Sequence, residues 1–152
     1  MKRLLHLALF LLLATAARAA IGFNATTNAQ SADAASSLTY SHTCSGAERL
    51  LFVGVSWKGS SGVTVSSVTY AGIGMTSIRS DQSAAPPNWT SHIFYLIGPA
   101  TGANNVVVTM SGAVPAGTVI VSGAISLTGV DQTTALDAHR SEERRVGKEC
   151  RL

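Results

Sequence analysis

Along most of this chain hydrophobic residues recur at every second position, in short runs broken by glycine, serine and proline. That period belongs to strands with one buried face. The longest apolar run after the N-terminus, RLLFVGVSWK at residues 49–58, sets Leu51, Val53, Val55 and Trp57 on one face. On the other, Leu50 and Phe52 give way to Gly54, Ser56 and Lys58. One face is apolar throughout and the other half polar, which predicts a central strand with one side in the core.

The same reading orders the rest of the chain. Residues 21–28 alternate Ile21, Phe23 and Ala25 against polar neighbours and predict a short first strand, followed by an Ala/Ser connector over 29–37. Residues 38–44 place Leu38, Tyr40, His42 and Cys44 opposite Thr39, Ser41 and Thr43. Over 63–70 the apolar phase switches from odd positions (Val63, Val65) to even ones (Val68, Tyr70), which one extra residue explains, so a β-bulge is predicted near Ser66 and Ser67. Ala71-Gly72 is a turn, 73–79 a short strand, and 80–88 a loop in which Pro86-Pro87 bar regular structure. Trp89 opens the next strand, whose HIFYLI segment at 92–97 is apolar on both faces and therefore central. After a loop at 98–104, residues 105–110 point Val106, Val108 and Met110 inward. A turn at 111–117 leads to 118–127, which carry Val119, Val121, Ile125 and Leu127 on one face with Gly123 as a gap.

About eight short strands with glycine- and serine-rich turns, and no helical period after the leader, predict an all-β fold: an antiparallel β-sandwich, jelly-roll or immunoglobulin-like. The immunoglobulin cysteine pair is absent, which favours the jelly roll. The strand pattern stops after residue 127 without a closing strand, so the sandwich is expected to be truncated at its C-terminus.

Composition bounds the function classes. The 152 residues allow one domain, and 46% hydrophobic against 12% charged excludes a solvated, disordered chain. The net charge of +3 would suggest nucleic acid or an anionic membrane, but the cations sit at the two ends. Between residues 20 and 139 only Arg49, Lys58 and Arg79 stand against Asp33, Glu48, Asp81, Asp131 and Asp137. The body is mildly acidic, which removes the nucleic-acid reading. Residues 1–19 have the form of a signal peptide: a basic Met1-Lys2-Arg3, an apolar stretch at 4–13 and Ala17-Arg18-Ala19 as a small-x-small cleavage site. A secreted, extracellular or periplasmic protein starting at Ala20 is expected, with no membrane span after cleavage. The apolar stretch is shorter than the roughly 20 residues a bilayer requires.

Candidate chemistry is sparse. His42 and Cys44 share a strand face, but two ligands make no metal site, and a buried cysteine beside a hydrogen-bonded core histidine is the commoner outcome. The serines, His42, His92 and His139, and Asp81 or Asp131 supply the residue types of a catalytic triad without any motif that assembles one. Neither cofactor nor metal is expected. A Cys44–Cys150 bridge is disfavoured, because Cys150 lies in a tail of foreign composition. Of the two tryptophans, Trp57 continues a buried strand face. Trp89, flanked by Asn88 and Thr90, offers a flat apolar ring beside polar groups, as a sugar requires. Its competing reading is a cap on the end of the core. Trp89, Asn88 and Thr90 are the candidate ligand site.

The segments SSLTYSHTCSGAERLLFVGVSW, VSSVTYAGIGMTSI, HIFYLIGPATGANNVVVTMSG and GAISLTGVDQTTALDA resemble a family of secreted bacterial β-sandwich modules of no established activity. The resemblance spans residues 36–138 and implies a fold and an extracytoplasmic place, with no functional residue. The tail RSEERRVGKEC at 140–150 resembles the translation of a sequencing adapter. Three parts follow: a signal peptide at 1–19, an incomplete sandwich domain at 20–139 and a non-native tail at 140–152. The expected function is a secreted, non-catalytic module for surface attachment, carbohydrate binding or scaffolding, its partners carbohydrate or cell-surface components. The alternatives are an accessory fragment of a larger extracellular hydrolase and a structural subunit of a surface or phage-like assembly.

Overall fold

The computed structural model describes residues 20–58, 62–84 and 88–136. The leader, Pro86-Pro87, Asp137 and the 140–152 tail lie outside them.

Among the described residues nine strands form: β1 (Gly22–Gln30), β2 (Ser37–Cys44), β3 (Leu50–Lys58), β4 (Val65–Tyr70), β5 (Ile73–Gly74), β6 (Thr76–Gln82), β7 (Trp89–Ile97), β8 (Gly102–Met110) and β9 (Val121–Thr128). They pair as one long hairpin folded over itself: β4 with β5, β3 with β7, β2 with β8 and β1 with β9, all antiparallel. Wrapping that hairpin gives a five-stranded sheet in the order β1-β9-β3-β7-β6 and a four-stranded sheet in the order β2-β8-β4-β5. This nested pairing is jelly-roll topology, with β6 added beside β7. It decides between the two sandwiches the sequence left open. The segment predicted to end the domain without closure is β9, which lies between β1 and β3 inside its sheet.

The core forms where the alternations of the two sheets meet. Leu51, Val53, Val55 and Trp57 of β3 are all buried, as are Leu38, Tyr40, His42 and Cys44 of β2, and Val106, Val108 and Met110 of β8. The Trp57 indole N–H donates to the Val63 carbonyl at 3.1 Å, so the largest core side chain is satisfied as well as buried. The bulge predicted near Ser66 and Ser67 appears as a register shift between Val65 and Ser67 against β8. Ala71 and Gly72 both adopt positive φ, 51° and 78°, the two-residue turn whose twist suits a hairpin.

Three local readings are corrected. The predicted strand at 73–79 is two strands: β5 pairs with β4 in one sheet and, after Met75, β6 pairs with β7 in the other, so the chain turns a corner of the sandwich. β6 then continues to Gln82, shortening the predicted 80–88 loop. Ile21, just before β1, and Phe23 within it face solvent, Phe23 at 68% exposure, because a register shift between Phe23 and Ala25 changes which positions point inward.

The third correction reverses β9. Its apolar positions Val121 and Ile125 are exposed, while Ser122, Ala124 and Ser126 are buried. The cause lies across the core, where β2 presents Tyr40 and His42. These large side chains need short neighbours and hydrogen-bond partners, and the serines of β9 supply both: Tyr40 Oη lies 2.8 Å from Ser122 Oγ, and His42 Nε2 lies 3.1 Å from Ser126 Oγ. Each unpaired buried hydroxyl or imidazole costs about 1–3 kcal/mol, comparable with the roughly 1.5–3 kcal/mol that burying each aliphatic side chain would return, so the polar demand competes on equal terms with the apolar one.

Candidate functional site

Two arrangements of side chains stand out, one inside the sandwich and one on its surface. The interior one is a directed hydrogen-bond relay. Ser126 donates to Asn24 Oδ1 at 2.9 Å, so the proton between Ser126 and His42 must come from His42 Nε2. His42 is therefore the Nε2–H tautomer, and its Nδ1 accepts the Thr27 hydroxyl at 3.0 Å. Asn24 is held in turn by Ser45, whose backbone N–H it accepts at 3.0 Å and whose hydroxyl accepts its amide at 2.7 Å. Burial pushes the His42 pKa below 6.5.

This relay holds a serine and a histidine at hydrogen-bond distance, but its polarity is opposite to that of a nucleophile and its base. The imidazole donates to the hydroxyl instead of accepting from it, a threonine stands where a carboxylate would orient the ring, and Ser126 is fully buried. Its work is structural: it ties β1, β2 and β9 together. Cys44, next on the same face of β2, is buried and free. Among the described residues no three His, Cys, Asp or Glu side chains gather to hold a metal ion. Asp131, one of the two carboxylates available to a triad, accepts the backbone N–H groups of Thr133 and Thr134 at 2.8 and 3.2 Å in a turn.

The surface arrangement lies on the outer face of the five-stranded sheet and follows from the reversal of β9. Register places Ile125, Phe52 and Tyr95 in one row across β9, β3 and β7. The next row is Gly123, Gly54 and Ile93, and the one after is Val121, Ser56 and Ser91. Two glycines side by side in the central strands leave a furrow, since a Cβ built on Gly54 would meet nothing within 4 Å. The groove has a volume of about 680 Å³ and is walled by Phe52, Ile78, Ile93, Val121 and Ile125, with Thr26 and Asn28 of β1 at one end. Among the described residues no charged side chain lines it. Ile125 and Ile93 are 46% and 44% exposed, unusual for isoleucines in the middle of a sheet.

The candidate ligand residues are divided by the fold. Trp89 opens β7 on this same outer face and is 52% exposed, so its indole does not cap the core. It pairs in register with Lys58, and the strand end is fastened by Ser83 N–H donating to the Trp89 carbonyl at 2.8 Å and Trp89 N–H donating to Ser83 Oγ at 2.9 Å. Asn88 is half-buried beside it. Thr90 points to the opposite, interior face and is buried, so it cannot join a surface with Trp89. The groove itself went unread in the sequence. Its signal was present as Gly54 and Gly123, each the one glycine at the centre of a long apolar strand.

Among the described residues no helix is long and apolar enough to cross a membrane. No protein-family model matches the chain, and no curated protein or solved structure matches it with significance.

Proposed function

We propose that the protein is a secreted, non-catalytic β-sandwich module for surface attachment and scaffolding, working through the outer face of its five-stranded sheet. The observation that carries this reading is the uncharged, apolar groove floored by Gly54 and Gly123. Soluble monomers rarely expose contiguous apolar surface of this kind, and its volume falls within the roughly 300–1,000 Å³ of binding clefts. Export rests on the form of residues 1–19, and N-terminal sequencing of secreted protein should find Ala20 first.

Retention of the purified protein on cell envelopes tests the proposal. Retention should be lost in Ile93→Asp, which places a charge in the groove wall at an already exposed position and leaves the core untouched. Retention equal in both proteins would remove the groove from the function, and no retention of the unsubstituted protein would remove attachment itself.

A second reading, carbohydrate binding at Trp89, is favoured by the exposure of its indole on the same face. Trp89→Ala should then abolish retention on insoluble polysaccharide with a stability change within about 0.5 kcal/mol, as for other exposed positions. Unchanged retention would eliminate the indole as a platform.

A further inference from the structure

We propose that the partner of the outer face is a second copy of this chain, bound face to face about a two-fold axis, an inference that rests on that face being the working surface. The row Ile125–Phe52–Tyr95 is a ridge, and the row Gly123–Gly54 directly beside it is a furrow. Rows two residues apart along a strand are separated by about 7 Å. A two-fold axis lying in the interface, between these rows and parallel to them, carries each ridge onto the other copy's furrow. Phe52 of one copy then sits over Gly54 of the other, and Ile125 over Gly123. A single patch thus supplies both the projection and the recess, which is the condition for a closed, isologous contact.

Size and charge agree with this occupant. Five strands about 4.8 Å apart and about 30 Å long present a face of about 700 Å², close to the roughly 800 Å² per partner of a stable interface. The rows that would meet at the centre carry no charge, so two copies face no like-charge repulsion there. Ser56 and Ser91, the polar pair in the adjoining row, satisfy each other at 2.8 Å and enter a contact without a stranded hydroxyl. The Arg79–Asp81 ion pair lies on the edge strand β6, at the rim, where interfaces carry their charge. The same rotation takes Lys58, at one end of β3, toward the other end of that strand in the second copy, where Glu48 is exposed.

Sedimentation velocity of the purified protein across micromolar concentrations tests the inference, with three variants. Gly54→Leu fills the furrow where a Cβ meets nothing within 4 Å in the monomer, so the variant should keep the parent's circular-dichroism spectrum and raise the dimer dissociation constant at least about tenfold. Ile125→Asp, on the ridge, should do the same by charge. Ile73→Asp is the control: this isoleucine is 58% exposed but lies on β5 in the other sheet, and the dimer should persist. A monomeric unsubstituted protein, or a dimer unaffected by both Gly54→Leu and Ile125→Asp, would overturn the inference. A monomer whose envelope retention still depends on Ile93 would sink the dimer and leave attachment standing. A dimer dissociated by these variants but retained on no envelope would uphold the dimer and remove attachment.

Discussion

Replacing Trp57 with alanine is expected to cost about 3–5 kcal/mol, the usual loss for a large aromatic deleted from a core that cannot collapse around the space. Trp57 is 2% exposed at the end of the β3 face that also carries Leu51, Val53 and Val55, and it faces Val65 and Val63 across the opening of the sandwich. Its indole N–H is the donor to the Val63 carbonyl, so alanine removes packing and strands an acceptor in one step. Against a total stability of about 5–15 kcal/mol such a loss removes about a fifth of it or more. Denaturant titration should show the midpoint falling with little change in slope. Trp57→Phe, which keeps most of the volume and loses the hydrogen bond, should fall between the two. A midpoint for Trp57→Ala within error of the parent would mean that the indole is not part of the core.

What the sequence made legible, and what it hid, divides by which forces acted. Where a strand has one strongly apolar face and a neighbour of ordinary hydrophobic character, alternation is enough: β3 follows it from Leu51 and β8 from Asn105, and the bulge at Ser66 and Ser67 follows from a break in the same rule. Where buried polar groups dominate, it fails. In β9 the apolar residues are outside because Tyr40 and His42 require Ser122 and Ser126 inside, a demand that lies in another strand and is invisible in a local pattern. Tyr40 passes its requirement onward: Ser122 donates to the Gly54 carbonyl at 2.9 Å, which leaves Tyr40 as the donor to Ser122.

The groove on the outer face escapes a local reading for the same reason. Assigning Ile125 and Val121 to the core leaves no exposed apolar row on β9 and therefore no groove. Trp89 was visible as an aromatic at a strand border, yet its grouping with Thr90 ignored the pleat, which sends adjacent residues to opposite faces. The corner between β5 and β6 is of a different kind. Residues 73–82 are strand on both sides of Met75, and what changes there is the partner, from β4 to β7, which the local sequence does not record.

The second large effect is expected from His42, in its stability and in its pH dependence. Its ring is 1% exposed and neutral, donating from Nε2 and accepting at Nδ1. Burial lowers its pKa below 6.5, and protonating Nδ1 would also require the Thr27 hydroxyl to turn and accept where it now donates. In the window below about 6.5 the unfolded chain therefore binds more protons than the folded one, so stability rises with pH there and is lost on acidification. Burial also lowers the pKa of half-buried His92, which adds a contribution of the same sign. At the other extreme, burial raises the pKa of Tyr40 and Tyr70 above 10.0. Their contribution is present below pH 10 and is lost as the unfolded phenols ionise, which leaves a plateau of stability between the two windows. His42→Gln should flatten the acid limb while His92→Gln leaves most of it in place. His42→Ala should cost at least about 3 kcal/mol at neutral pH, since it opens a cavity and leaves the Ser126 and Thr27 hydroxyls without their ring partner. An acid limb as steep in His42→Gln as in the parent, measured by denaturant titration from pH 7 downward, would remove His42 as its source and place the titration elsewhere in the chain.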